Sequence, residues 1–378
     1  MATSFKKKSS RGRVLQIPGT RPSIHNNQLL VSTGIPSLDS VIGGGIAVGT
    51  VLLVEEDIYG SYARQLLKYF LAEGVVSGHS LFLASAELEP SAILKDLPYP
   101  MNEENDSEPG LSTPGRQEES MKIAWRYQQL PKVQSSLAYS NFSHYFDLTR
   151  VMEEPRVHRL PITTFDATSE WSEGIQCGRS MDRSPLYEKL ISSLKQTICQ
   201  GGYSTTHKQQ QQKSILRLAL HGLGSQLWGE ACSATDFTTG LPRFLYCLRA
   251  QLRSSLAVCM VTMPTHIFQD SGFTKRIEHL ADTVVSLESF AGSSKETNPV
   301  YKNYHGLFHI IRLPRLNSLM SHMPSTLDLA FKLRRKKLTI EMLHLPPDLS
   351  INANREQEDP VSQSGSCQAG TGNSRLDF

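Results

Sequence analysis

An apolar run, a short loop with one glycine and an amphipathic segment follow one another in VLLVEEDIYGSYARQLLKYF, residues 51–70, and a second apolar run, LFLAS, stands at 81–85. Ala63, Leu66, Leu67, Phe70 and Leu71 fall on one face of a helix, which the pattern predicts from about Tyr62 to Glu73 with a stop at Gly74. Strand, helix and strand at this spacing make a βαβ unit, and such a unit demands a parallel sheet covered on both faces. The loop stands where a phosphate-binding loop would stand, but its chemistry is wrong. G-x-x-x-x-G-K-[ST] supplies backbone N–H groups, a lysine and a hydroxyl to phosphate and magnesium. With Gly60 as the second glycine, Glu55 replaces the first, Ser61 the lysine and Tyr62 the hydroxyl residue. Glu55, Glu56 and Asp57 would each repel a phosphate, by about 4 kcal/mol per charge pair at ~4 Å and an effective dielectric of about 20.

Further α/β signals surround this unit. ILRLALHGLGS (215–225) predicts a buried strand ending at His221, SLAVCMVTM (255–263) another closed by Pro264, and TVVSLESF (283–290) and GLFHIIRLP (306–314) two more. Ser184-Pro185 predicts the start of a helix that stops at Gly201-Gly202, and a helix is expected from about Pro242 to Arg253. Residues 328–345 read as a terminal hairpin. The expected organisation is a disordered basic arm over 1–28, one domain over 29–348, and a disordered tail over 349–378. Within the domain an acidic, flexible insertion is expected at 101–120 and a polar loop at 203–213, the latter with the run Gln209–Gln212.

Composition excludes several classes. No apolar run approaches the roughly 18 residues of a membrane span, and the start, MATSFKKKSSRGR, has no apolar segment after its positive charges, so a cytoplasmic or nuclear protein with no membrane partner is expected. The 6 cysteines contain no C-x-x-C pair, which leaves buried reduced thiols as the expectation and neither a zinc site nor a disulfide framework. Net charge is only +3, but it is unevenly spread: Lys6, Lys7, Lys8, Arg11 and Arg13 are basic, Glu103, Glu104, Asp106, Glu108, Glu118 and Glu119 are acidic, and Arg334, Arg335, Lys336 and Lys337 are basic again. Such runs are solvated faces or phosphate contacts. His305 and His309 have i, i+4 spacing but lie on a predicted strand, and Ser192 with Lys195 mimics S-x-x-K on a predicted helix; neither is expected to bind metal or catalyse.

STGIPSLDSVIGGGIAVGTVLLVEE resembles the opening of RecA-type and KaiC-type ATPase domains, with Thr33, Gly34, Leu38, Asp39, Gly43, Gly44, Gly45 and Gly49 at matching spacings. LFLASAELEP is similar to the strand that delivers their catalytic glutamate, with Glu87 in the matching place. The resemblance implies an α/β fold of the RecA-like, P-loop NTPase type: a mainly parallel central sheet flanked by helices, with degenerate Walker motifs. The Walker A lysine and hydroxyl are missing, and His221 ends the strand on which an acid should hold magnesium through water. A neutral imidazole cannot replace that carboxylate. The expectation is a domain that binds no nucleotide, cofactor or metal by itself and is not an enzyme.

TGIPSLDSVIGGGIAVGTVLLVEED, MKIAWRYQ after the acidic insertion, HYFDLTR, LALHGLGSQLW and RKKLTIEMLHLPPDLS together resemble the family of fourth subunits of the Elongator complex, over about Gln28 to Ser350. The tail departs from the family pattern, although it ends Leu376-Asp377-Phe378. The resemblance implies a heterohexameric ring with the RecA-like fifth and sixth subunits, docked on the large catalytic subcomplex. It also implies tRNA binding in support of wobble-uridine (U34) modification, with ATP at ring interfaces through partner subunits. In RecA-like rings the loops after the central strands line the channel, which points to the segment after Met263 with Lys275 and Arg276; the 334–337 cluster and the basic arm are the competing tRNA contacts. Two other readings compete with a scaffold subunit: an active RecA-type ATPase with an unusual loop, and a transcription-linked interaction module.

Overall fold

The apolar run at 51–55 becomes a strand in the middle of a sheet, and the elements around it follow from the same patterns. The computed structural model describes residues 17–23, 28–101, 142–172, 185–205, 214–228, 234–317, 322–324 and 326–344. All named elements belong to one unit that ends at Leu343. The chain opens with a small antiparallel sheet, β1 (Thr20–Pro22), β2 (Leu29–Val31) and β3 (Ile46–Ala47), with α1 (Pro36–Val41) between the last two strands. Then come β4 (Val51–Glu55), α2 (Ser61–Val76), β5 (Ser80–Ser85), α3 (Pro90–Lys95) and an antiparallel ribbon of β6 (Pro98–Met101) and β7 (Tyr145–Val151). After α4 (Glu154–Val157), β8 (Ile162–Asp166), α5 (Ala167–Ser172) and α6 (Pro185–Gln200), the chain alternates β9 (Leu216–His221), α7 (Ala234–Arg253), β10 (Ala257–Met263), α8 (Ser271–Leu280) and β11 (Thr283–Ser289). It closes with β12 (Gly306–Arg312), β13 (Leu329–Leu333) and β14 (Leu338–Met342).

The main sheet has the order β14-β13-β12-β11-β4-β10-β9-β5-β8 among the described residues. Neighbours from β11 to β8 are parallel, and β12 to β14 extend the sheet antiparallel. Side chains alternate across β4: Leu52 and Val54 pack with Leu66, Leu67 and Phe70 of α2, whereas Val51 and Leu53 pack with Leu190 and Leu194 of α6 and Leu248 of α7. Burial on both faces explains why β4 reads as an unbroken apolar run. Register places the ends of the central strands together, with Glu55 beside both Met263 and Ser286 and Ser85 beside His221. The switch point of such a sheet is where ligands of open α/β folds bind.

Three expectations change. Residues 17–22 are not a featureless arm: Ile17 is buried, β1 pairs with β2, and Arg21 donates to the Gly44 carbonyl at 2.7 Å. Gly19 and Pro22 there mark a turn and the end of an edge strand, positions that suit both residues. Helix α2 runs through Gly74 to Val76, because glycine is used there for space: a Cβ would lie 2.7 Å from Leu81 and 2.8 Å from Arg217. Helix α7 begins at Ala234 with Pro242 inside it, so that proline removes one N–H within a helix and does not open it. Met101 ends β6, while residues 102–120 of the acidic insertion, MKIAWRYQ, the 206–213 part of the polar loop, and the tail lie outside the described residues.

Candidate functional site

Helix α2 begins immediately after the loop, and its first backbone N–H groups would need an anion or a cap. The chain supplies one. The Asp57 carboxylate accepts the N–H groups of Ser61 at 3.2 Å, Tyr62 at 3.1 Å and Ala63 at 3.2 Å. Ser61, at the position of the missing lysine, donates its hydroxyl to the same carboxylate at 3.2 Å. The turn closes with the Gly60 N–H on the Asp57 carbonyl at 2.7 Å and with Gly60 at φ 62°, a left-handed conformation that glycine adopts without strain. Asp57 is buried, and the positive end of the helix dipole holds its charge as it would hold a phosphate. Tyr62 packs its ring on Phe331, centroids 4.6 Å apart, and edge-on to His305.

The neighbouring carboxylates have other surroundings. Glu56 continues β4 by donating its N–H to the Met263 carbonyl at 2.9 Å. Its side chain is 8% exposed, and that of Glu55 is 7% exposed; in each, Oε1 has no hydrogen-bond partner among the described residues. Burial pushes Glu56 up to about 7, with the Thr262 hydroxyl opposing the shift, Glu87 and Asp57 adding to it, and Arg64 opposing it again. Burial also raises Glu55, against a hydrogen bond from Ser286. Glu87 lies at the exposed rim, above its ordinary range through partial burial and countered by Arg64.

His221 is buried at the end of β9, with Nδ1 3.2 Å from the Ser85 hydroxyl and its carbonyl accepting the Trp228 indole N–H at 3.2 Å. Burial, with Arg64 and Lys68 nearby, pushes it down to about 4, so it is a neutral imidazole at pH 7. The Thr262 hydroxyl accepts the Gly222 N–H at 2.9 Å, which ties β9 to β10 at this edge. Glu55, Glu56, Asp57, Gly60, Ser61, Tyr62, Glu87 and His221 therefore gather at one end of the sheet, arranged as self-satisfied caps and half-satisfied carboxylates. Among the described residues no group of three His, Cys, Asp or Glu could hold a metal ion. His309 pairs with Glu288 at 3.0 Å, while His305 accepts the Leu333 N–H at 3.2 Å, so these two histidines serve different partners.

The basic residues divide. Lys275 and Arg276 do not lie on a loop but on α8, and Lys275 is engaged by both carboxylate oxygens of Glu278 at 2.9 Å. Arg334, Arg335, Lys336 and Lys337 form the turn between β13 and β14, where the Lys336 carbonyl accepts the Leu148 N–H and Lys337 lies 5.4 Å from the Tyr145 ring. Sequence reasoning missed two arginines. Arg64, on the first turns of α2, faces the acid cluster. Arg217, fully buried inside the apolar β9, donates to the carbonyls of Ser32 at 2.8 Å and Phe70 at 3.1 Å and to His79 Nδ1 at 3.0 Å. A lone arginine in an apolar run was the available signal.

The strand that leads into the loop stands between β11 and β10, the His221 strand lies one place further, and the strand ending near Glu87 follows it. This order and this loop define an open α/β protein with a mainly parallel central sheet, in which the helix after β4 is capped by the chain's own aspartate. The chain belongs to the family of Elongator complex protein 4. The family model described as PAXNEB protein matches residues 13–378, so the tail after Ser350 falls inside the family's extent despite its divergent look. Elongator complex protein 4 of Xenopus laevis is 48% identical over 399 residues, covering 100% of this chain and 95% of that one. The protein of the same name in Danio rerio is 48% identical over 385 residues (100% and 96% covered), and that of Homo sapiens 43% identical over 379 residues (96% and 89% covered). A KaiC-like protein of Pyrococcus horikoshii OT3 is a distant structural likeness, with a TM-score of 0.45 and 11% identity over 82% of this chain and 98% of that one.

Proposed function

We propose that this chain is a non-catalytic RecA-like subunit of an Elongator assembly, in which it completes a ring with the fifth and sixth subunits. The single observation that carries this is the Asp57 carboxylate on three N–H groups of α2. A phosphate brought to that helix would have to displace a buried, hydrogen-bonded anion and pass Glu56. An ATPase reading is disfavoured on that ground as well as by Ser61, Tyr62 and His221. In a ring of RecA-like domains the scaffold makes the contacts between subunits, so a member can lose its nucleotide and remain necessary for closure. ATP would then enter through partner subunits at ring interfaces, and this chain would hold no cofactor of its own.

The ring would dock on the large catalytic subcomplex, in the cytoplasm and nucleus, and bind tRNA in support of U34 modification. Of the candidate tRNA contacts, the Arg334–Lys337 turn is favoured over Lys275 and Arg276, because Lys275 is already paired with Glu278. Such contacts would give binding that falls steeply with salt and has little sequence preference. A native mass spectrum of the tagged chain, purified gently from its own cells, tests the assembly. The expected result is a hexamer with two copies of this chain and two each of two other RecA-like proteins; a lone monomer or a homohexamer would overturn it.

A further inference from the structure

The carboxylates around the filled loop are short of positive charge. Glu56 is buried with Oε1 unpartnered among the described residues, and a buried carboxylate with an unmet oxygen is costly to the fold. Glu87 adds a second charge at the rim, and Asp57 is already committed to α2. The cation that faces Glu56 and Glu87 is Arg64, whose own Nε is buried without a partner among the described residues. Two carboxylates thus share one guanidinium, and one more basic group would balance them.

Apolar side chains stand beside this deficit. Ile58 and Tyr59, on the turn between Asp57 and Gly60, are 65% and 62% exposed. Tyr59 is not loose at its tip: a Cβ on Gly292, in the segment between β11 and β12, would lie 3.1 Å from its hydroxyl. A paired aliphatic and aromatic side chain next to a desolvated charge site is the arrangement of a protein interface core. A free metal ion would leave that apolar pair uncovered, and an anion is already excluded by Asp57.

We infer that this edge receives an arginine or lysine of a neighbouring RecA-like protein, its charged end between Glu56 and Glu87 and its surroundings packed on Ile58 and Tyr59. The inference rests on the ring reading above and names the contact that reading leaves open. A guanidinium there would be bound by charge-assisted hydrogen bonds in a site that the apolar pair closes to water. The partner's basic residue would take the side of the cluster opposite Arg64, so that the filled phosphate site becomes a permanent docking edge instead of a nucleotide-dependent one.

The test compares the wild-type chain with two variants, Ile58→Ser/Tyr59→Ser and Glu56→Gln/Glu87→Gln, each expressed full length in its own cells, purified gently and weighed by native mass spectrometry. Melting of the isolated chains checks folding, and Glu87→Gln alone, at the exposed rim, replaces the double carboxylate variant if that one melts early. The apolar variant is expected to keep its melting temperature and the carboxylate variant to keep or raise it, and both are expected to lose co-assembly roughly tenfold at physiological salt. Wild-type co-assembly that both variants retain would overturn the docking edge and leave the ring standing. Loss in the apolar variant alone would overturn the basic side chain. A wild-type chain without RecA-like partners would overturn the ring and the docking edge together.

Discussion

Asp57 accepts hydrogen bonds from three consecutive N–H groups of α2, while Glu56 beside it is buried with one oxygen unmet among the described residues. Burial raises Glu56 from 4.5 to about 7. Between those values the folded chain holds a proton that the unfolded chain has released, so the Glu56 contribution to stability falls as pH rises through that window. His79 and His221, pushed down to about 3 and about 4 by burial, act in the opposite sense, and Asp39, raised to about 6 by burial, acts in the same sense as Glu56. The total is therefore shallow and the difference between proteins is what reports on one residue. Glu56→Gln should gain stability on the wild type between pH 5 and pH 8, read from urea midpoints; a constant difference across that range would contradict the buried-acid environment. At this scale the substitutions at Ser61, Tyr62 and His221 were legible, since each breaks a motif of known chemistry. What replaced them was not legible, because Asp57 reaches α2 from outside its N-cap, Gly60, in a geometry that only the folded turn sets.

Helix α2 shows how an element can defeat a local rule. Gly74 within a helix should be improved by alanine by about 1 kcal/mol. Here the added methyl would meet Leu81 and Arg217 below 3 Å, so Gly74→Ala should destabilise by about 1 to 3 kcal/mol in chemical denaturation, and a gain would contradict the close approach of α2 to β9. The glycine was read as a stop because composition cannot separate a helix end from a helix contact. The β13–β14 hairpin was legible as a hairpin, but its position over α2, where Leu338 N–H donates to the Tyr69 hydroxyl at 3.0 Å, was not. Its turn holds Arg334, Arg335, Lys336 and Lys337, the tRNA contacts proposed above. Arg334→Glu with Arg335→Glu should weaken tRNA binding by the purified assembly about tenfold or more and flatten its salt dependence, with the ring intact. Equal binding by the variant in a filter or fluorescence titration would remove this turn from the tRNA path.

Across the whole molecule, the parallel part of the sheet followed from the spacing of apolar runs, whereas the strand order β14-β13-β12-β11-β4-β10-β9-β5-β8 is set by long-range pairing that no local pattern carries. The strand at 20–22 and the arginine buried in β9 did not follow, because both depend on long-range partners: Pro18 and Arg217 meet at His79, whose ring accepts from Arg217 Nε and donates from Nε2 to the Pro18 carbonyl at 2.8 Å. The same long-range logic governs the loop, where the Asp57 carboxylate caps α2 across the turn that Gly60 closes. The most direct measurement is a calorimetric titration of magnesium ATP into three purified full-length chains: wild type, Ser61→Lys/Tyr62→Thr, and Ser61→Lys/Tyr62→Thr with Asp57→Gly. With Asp57 filling the site, the first two bind no nucleotide at millimolar concentration and show no hydrolysis, and any affinity is confined to the third. Binding or hydrolysis by the wild-type chain, or its restoration by Ser61→Lys/Tyr62→Thr while Asp57 remains, would contradict a phosphate site occupied by its own carboxylate.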